Sequence, residues 1–202
     1  KKLSKNNRII VIDNFITGKE ENLSDNIILL NSNVATAINM LDQQPHIDEI
    51  YHLASPASPP KYQEFWQETI DANVMGTKGL LEVAKINNAK MVYTSTSEIY
   101  GDPLEHPQKE TYFGNVNSLG QRSVYDESKR MGETFCYQYN KKLMVRVVIA
   151  RILNTYGVGM DENDWRLLTN LLRSIKENKP FEIYGDGTQT RSLCYIDDTV
   201  AG

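Results

Sequence analysis

Short runs of apolar, β-branched residues alternate along this chain with longer stretches of helical spacing. RIIVI at Arg8–Ile12, NIILL at Asn26–Leu30, DEIYHLA at Asp48–Ala54, KMVYTST at Lys90–Thr96 and LMVRVVIAR at Leu143–Arg151 read as strands buried on both faces. Continuous rather than alternating hydrophobicity marks strands of parallel sheets. Between them, Val34–Gln44 and the long stretch Lys61–Asn87 have helical spacing, with Ile70, Val74, Leu80, Leu81 and Ala84 on one side. Ser123–Lys142 and Asp164–Asn178 share it. Strand and helix in alternation predict an α/β fold, a doubly wound parallel sheet with helices on both faces.

The pattern changes after Arg151. Gly and Asn thicken in NTYGVGMDEND, a helical segment follows, and two strand-like pieces, FEIYG and SLCYI, flank the turn DGTQ. This predicts the edge of a smaller region appended to the sheet. No internal repeat, low-complexity tract or linker interrupts the chain.

Composition narrows the class further. The chain has 202 residues, 40% of them hydrophobic, and 22 Lys+Arg against 26 Asp+Glu for a net charge of −4. A disordered or fibrous chain is excluded. Mild acidity without a basic block excludes nucleic acid or an anionic membrane as the main partner. No apolar run approaches the ~18 residues of a membrane span, and no signal-peptide-like stretch opens the chain, so a cytoplasmic protein is expected. Two cysteines, Cys136 and Cys194, stand far apart without CxxC spacing, and there are three histidines. They read as buried free thiols rather than a disulfide or a metal site.

Ligands of open parallel sheets bind at the carboxyl ends of the strands, and four clusters fall there. Asp13 ends the first strand in VIDNF; a carboxylate at this place can accept both ribose hydroxyls of an adenosine, although a strand-ending Asp is commonly a turn residue. HLASPAS, His52–Ser58, offers small residues that let a flat cofactor approach the backbone, or that merely make a tight loop. TSTSEIYG, Thr94–Gly101, brings four consecutive hydroxyl residues and a carboxylate out of a strand, where ordinary turn chemistry is the plainer reading. In YDESK, Tyr125 and Lys129 lie one helical turn apart, which puts phenol and ammonium on one face. A free tyrosine is a poor base at neutral pH, and a neighbouring ammonium favours the phenolate, so such a pair can move a hydroxyl proton during hydride transfer. YxxxK alone occurs by chance on solvated helix faces. Together with a hydroxyl-bearing strand end some thirty residues earlier it becomes specific.

With these motifs in hand, the sequence resembles the extended short-chain dehydrogenase/reductase (NAD-dependent epimerase/dehydratase) family of nucleotide-sugar enzymes, and within it the UDP-glucuronate decarboxylases (UDP-xylose synthases). The likeness runs through DNFITG, YHLASPASPPKYQ, TSTSEIYGDPLEHPQ, NVNSLGQRSVYDESKR, RILNTYG and YGDGTQTRSLCYIDD. It implies a Rossmann-type NAD-binding domain over residues 1–152, and part of a substrate-binding region over 153–202. By position, Tyr125 and Lys129 match the catalytic pair and contact the cofactor. Thr96 matches the hydroxyl that bonds the reacting C4 oxygen. Ser97 and Glu98 fill the positions that vary with the reaction, Ser-Glu in decarboxylases and Asp-Glu in 4,6-dehydratases. Asp13, Asn14 and Phe15, with Thr17 and Gly18 close by, match adenosine-ribose contacts. Leu53, Ala54 and Ser55 match the loop beside the cofactor, and Thr69 and Asn73 positions on the following helix. Asn154 and Arg191 match residues holding the substrate diphosphate, and Tyr184 one near the base. The implied reaction is NAD-dependent decarboxylation of UDP-glucuronate to UDP-xylose through a 4-keto intermediate, without metal. The implied assembly is a homodimer packed through Lys61–Asn87 and Ser123–Lys142.

Three departures stand against this resemblance. Ser128 replaces the Gly of YDEGK, and TYGVG, with Val158, replaces an FGP-type sequence. No G-x-x-G-x-x-G precedes VIDNF, so the sheet is expected to lack its first βα unit, which carries the phosphate-binding loop. The chain is accordingly expected to be the middle of a longer enzyme, by truncation or partial ordering. The alternatives are a nucleotide-sugar 4,6-dehydratase or 4-epimerase, or a short non-catalytic binding or assembly module.

Overall fold

The computed structural model describes residues 2–161, 164, 166–183 and 185–202. Among the described residues seven strands form, β1 (Ile9–Asp13), β2 (Ile27–Asn31), β3 (Glu49–His52), β4 (Lys90–Thr96), β5 (Arg146–Ile152), β6 (Asn154–Tyr156) and β7 (Leu193–Tyr195). All pair in parallel, in the orders β1-β2, β3-β4-β5 and β6-β7. The first five strands are those expected from sequence. FEIYG forms no strand over Phe181–Ile183, whereas Asn154–Tyr156, in the glycine-rich NTYG segment, does.

The break between β1 and β3 has a topological meaning. A doubly wound sheet has strand order 3-2-1-4-5-6. Removing its first strand leaves 3-2 and 4-5-6, which is the order of β2-β1 and β3-β4-β5 in this chain.

The helices are α1 (Pro59–Glu64), α2 (Trp66–Ile70), α3 (Thr77–Asn87), α4 (Ser123–Leu143), α5 (Leu167–Lys176) and α6 (Ile196–Ala201). Val34–Gln44 forms only a 3₁₀ segment, Ala37–Gln43. The stretch Lys61–Asn87 is not one helix: Phe65, at φ −106° and ψ 52°, separates α1 from α2, and a π-helical turn over Asp71–Gly76 precedes α3. Buried His52 braces that turn, its Nε2 lying 3.2 Å from the Ala72 carbonyl and 3.0 Å from Thr77 Oγ1. Helices α3 and α4 pack on the sheet face carrying Ile50, Met91 and Tyr93, and the core gathers there with Leu80, Leu81, Ala84, Cys136 and Val145. The expectation of strands buried on both faces fails for β3 and β5. Tyr51 and Val148, aligned with Val92 in the opposite row, are exposed because no described helix covers them.

Candidate active site

Alternation along β4 sends its hydroxyl residues to different tasks. Thr94 Oγ1 donates to the His52 carbonyl at 2.7 Å and ties β4 to β3, while Ser95 Oγ donates to Glu133 of α4 at 2.5 Å. Thr96 Oγ1 accepts from the Glu98 amide at 3.2 Å, capping the 3₁₀ turn Ser97–Tyr100 that carries Glu98. The strand end is therefore turn chemistry and a candidate site at once.

Helix α4 supplies the other half. Tyr125, Asp126, Ser128, Lys129 and Gly132 are all on its buried side. Lys129 Nζ donates to the Thr94 carbonyl at 2.8 Å and lies 5.1 Å from the centre of the Tyr93 ring and 5.9 Å from that of Tyr125. Burial pushes the Lys129 ammonium down to about 7. Burial also raises the Tyr125 phenol above its ordinary value, and a hydrogen bond with Thr96 acts in the opposite direction. The net direction for Tyr125 is upward, with burial the largest cause.

A cavity of about 890 Å³ brings together Leu53, Ser55, Thr96, Ser97, Glu98, Tyr125, Lys129, Asn154 and Arg191. That volume is within the range of small-molecule sites. Asn154 Nδ2 donates to the Ser192 carbonyl at 3.2 Å, and Arg191 is exposed. Tyr184 lies outside the described residues. Asp13, Asn14, Phe15, Thr17, Gly18 and Ala54 are not among the residues lining the cavity. Asp13 Oδ1 accepts from the Phe15 amide at 2.8 Å, and Phe15 adopts a left-handed backbone at φ 53°. A Cβ at Gly18 would make ordinary contact with Asp13 Oδ2, at 3.5 Å. Thr69 and Asn73 are fully buried: Thr69 Oγ1 donates to the Phe65 carbonyl, and Asn73 Nδ2 donates to Ser128 Oγ at 3.0 Å. Ser128 in turn donates to the Tyr125 carbonyl at 3.1 Å, so the serine that departs from YDEGK ties α4 to the π-helical turn.

Three groups of residues in or behind the cavity wall escaped the sequence reading: Tyr62 and Arg122 line it, and Arg151 does not. Tyr62 stacks on Tyr125, centroids 5.1 Å apart and planes 10° apart, with its hydroxyl buried and unpartnered. Arg122 forms an ion pair with Glu98, and its Nε lies 3.8 Å from Asp126 Oδ2. Arg151 grips Glu133 with two nitrogens at 2.9 and 2.8 Å and donates to the Tyr100 hydroxyl at 2.9 Å. The i, i+4 spacing of Arg122 and Asp126 was visible in QRSVYDESK, whereas nothing local connects Glu133 to Arg151.

Hydroxyls, a carboxylate and a Tyr–Lys pair thus line one cavity of a parallel α/β fold, at the carboxyl ends of strands where such sheets bind ligands. The model of the NAD dependent epimerase/dehydratase family matches residues 1–202, and the chain belongs to that family. It is 47% identical over 207 residues to UDP-glucuronic acid decarboxylase 1 of Arabidopsis thaliana, covering 100% of this chain and 46% of that relative. To UDP-glucuronic acid decarboxylase 1 of Danio rerio it is 42% identical, covering 96% and 46%. Among solved structures, UDP-glucuronic acid 4-epimerase from Bacillus cereus, in complex with UDP-glucuronic acid and NAD, has a TM-score of 0.79 at 28% identity, covering 98% of this chain and 65% of that one. The chain spans about half the length of the curated relatives it matches.

Proposed function

We propose that the full-length protein is an NAD-dependent decarboxylase that converts UDP-glucuronate to UDP-xylose through a 4-keto intermediate. The observation that carries this is the placing of Thr96, Ser97 and Glu98 in one cavity with Tyr125 and Lys129, in a chain 47% identical to a UDP-glucuronic acid decarboxylase. The residues present fit NAD: Asp13 stands partly exposed at the carboxyl end of β1, where a carboxylate can accept ribose hydroxyls, and Leu53 and Ser55 line the cavity beside the Thr94–Glu98 strand end. When bound, NAD supplies the acceptor for the C4 hydride and its return.

The chain's own groups handle protons and orientation. Thr96 hydrogen-bonds the C4 oxygen, and Tyr125 takes the C4 hydroxyl proton. Lys129, poised near neutrality by burial, stabilises the phenolate when charged. The resulting C4 ketone is β to the C6 carboxylate, so CO2 leaves with its electron pair delocalised as an enolate. Glu98 manages the proton returned to C5, and Tyr125 re-protonates the C4 oxygen. Asn154 and Arg191 hold the diphosphate, for which the planar guanidinium offers two parallel bonds.

The same reading makes the protein a cytoplasmic homodimer. Exposed Trp66, Met75, Met131 and Tyr137, on or beside the helices assigned to the interface, support the dimer. Among the described residues no helix is long and apolar enough to cross a membrane. The function is tested with the full-length protein, NAD and a panel of UDP-glucuronate, UDP-glucose and dTDP-glucose. CO2 from the first supports the reading, and no CO2 from UDP-glucuronate with turnover of either other sugar instead refutes it. A Glu98→Gln variant that decarboxylates at the wild-type rate would remove Glu98 from the mechanism.

A further inference from the structure

Glu98 projects from a short 3₁₀ turn, Ser97–Tyr100, whose backbone is capped by Thr96. The cap fixes the turn but leaves the carboxylate free to rotate about three bonds. Its ion-pair partner stands at the entrance to α4. Arg122, the residue before the helix, pairs through Nη2 with Glu98 Oε2. Its Nε faces Asp126 Oδ2 at 3.8 Å from the other side. Asp126 has a side chain only 7% exposed, and its second oxygen is buried without a partner, so its environment provides little to neutralise it besides Arg122. Tyr62 stacks on Tyr125. Glu98, Arg122, Tyr125 and Tyr62 all line the cavity.

Two carboxylates facing one guanidinium make a clamp with a defined direction. Arginine's delocalised, planar cation can serve two anions at different nitrogens, which a lysine ammonium does less well. Asp126, rooted in α4 one turn beyond Arg122, fixes the guanidinium relative to Tyr125 on the same turn. The guanidinium then fixes Glu98 relative to Tyr125. We infer that Arg122 is a positioning residue, braced by Asp126, that holds the Glu98 carboxylate in register with Tyr125 at the sugar end of the cavity. The inference rests on the reading above in that Glu98 is taken to act on the sugar.

A double-mutant cycle on the full-length protein tests it, with wild type, R122Q, R122K, E98Q and E98Q/R122Q compared in NAD reduction and in CO2 release from UDP-glucuronate. The clamp requires R122Q to lower kcat for CO2 release by about tenfold, a loss of transition-state stabilisation of ~1.4 kcal/mol, with KM changed less than about twofold. R122K recovers part of the loss. The double variant is no slower than E98Q, because the second substitution removes an interaction already lost. Losses that multiply overturn the clamp. So does a raised KM with unchanged kcat, which would make Arg122 a direct counter-ion for the sugar carboxylate. If wild type releases no CO2, the functional reading fails by itself, and the cycle is read on whichever nucleotide sugar reduces NAD. A substrate-free readout stands beside both: the Arg122 guanidinium N–H resonances are protected in wild type and broadened by exchange in E98Q, and resonances indifferent to E98Q overturn the clamp.

Discussion

Lys129 and Tyr125 are where sequence spacing and buried chemistry part. Their separation by one helical turn was legible in YDESK, and the structure places both on the inward side of α4. The effect of burial was not legible, because it depends on Tyr93, the Thr94 carbonyl and the strands beneath. Burial pushes Lys129 from its ordinary 10.5 down to about 7. Between those values the unfolded chain holds a proton that the folded chain has released, so stability rises with pH through that window. Wild-type protein is therefore expected to gain resistance to urea between about pH 7 and pH 9 relative to K129M, which has no such group. Parallel curves for the two proteins would contradict the assignment. Y125F is expected to lower kcat by about 10²–10⁴-fold, the usual contribution of a positioned acid–base group, while leaving nucleotide-sugar affinity near wild type in calorimetry.

At the level of elements, α4 is the piece on which the site depends, and Gly132 and Glu133 explain how it seats. A Cβ at Gly132 would lie 2.1 Å from the Tyr93 hydroxyl oxygen and 3.1 Å from the Asn73 carbonyl oxygen. Alanine is ordinarily better than glycine in a helix by about 1 kcal/mol. Overpacking against a rigid ring and backbone costs about 1–3 kcal/mol and outweighs that preference. G132A is thus expected to lower the unfolding midpoint despite its higher helix propensity, and a midpoint at or above wild type would show that α4 can shift. Glu133 accepts from both Ser95 and Arg151, and joins β4, β5 and α4. E133A strips Arg151 of a paired carboxylate and is expected to cost about 1.5–3 kcal/mol in urea unfolding. Hydrophobic spacing revealed α3 and α4 because each buries one face. It overstated Lys61–Asn87 as a single helix because the break at Phe65 and the π-helical turn leave the apolar spacing almost unchanged. FEIYG misled because Phe181 and Ile183 carry strand propensity yet lie in no described strand, whereas Asn154–Tyr156 is a strand through its pairing with β7.

For the molecule as a whole, the β1-β2 pair and the β3-β4-β5 sheet are of unequal strength. β4 is hydrogen-bonded on both sides and packed under α3 and α4, while β1 and β2 make an isolated pair with most residues only partly buried. A two-stranded ribbon is marginal, and local opening follows sparse packing. Amides of Ile9–Asp13 and Ile27–Asn31 in this chain are expected to exchange with solvent faster than those of Lys90–Thr96 by mass spectrometry, and equal protection would contradict this difference in strength.

The central claim is chemical and concerns one carbon atom. With full-length protein, NAD and UDP-glucuronate carbon-labelled at C6, the account predicts that the label leaves as CO2 and that the nucleotide-bound product is an unlabelled pentose. Label retained in the nucleotide sugar, with the C4 centre inverted or the substrate untouched, would contradict it.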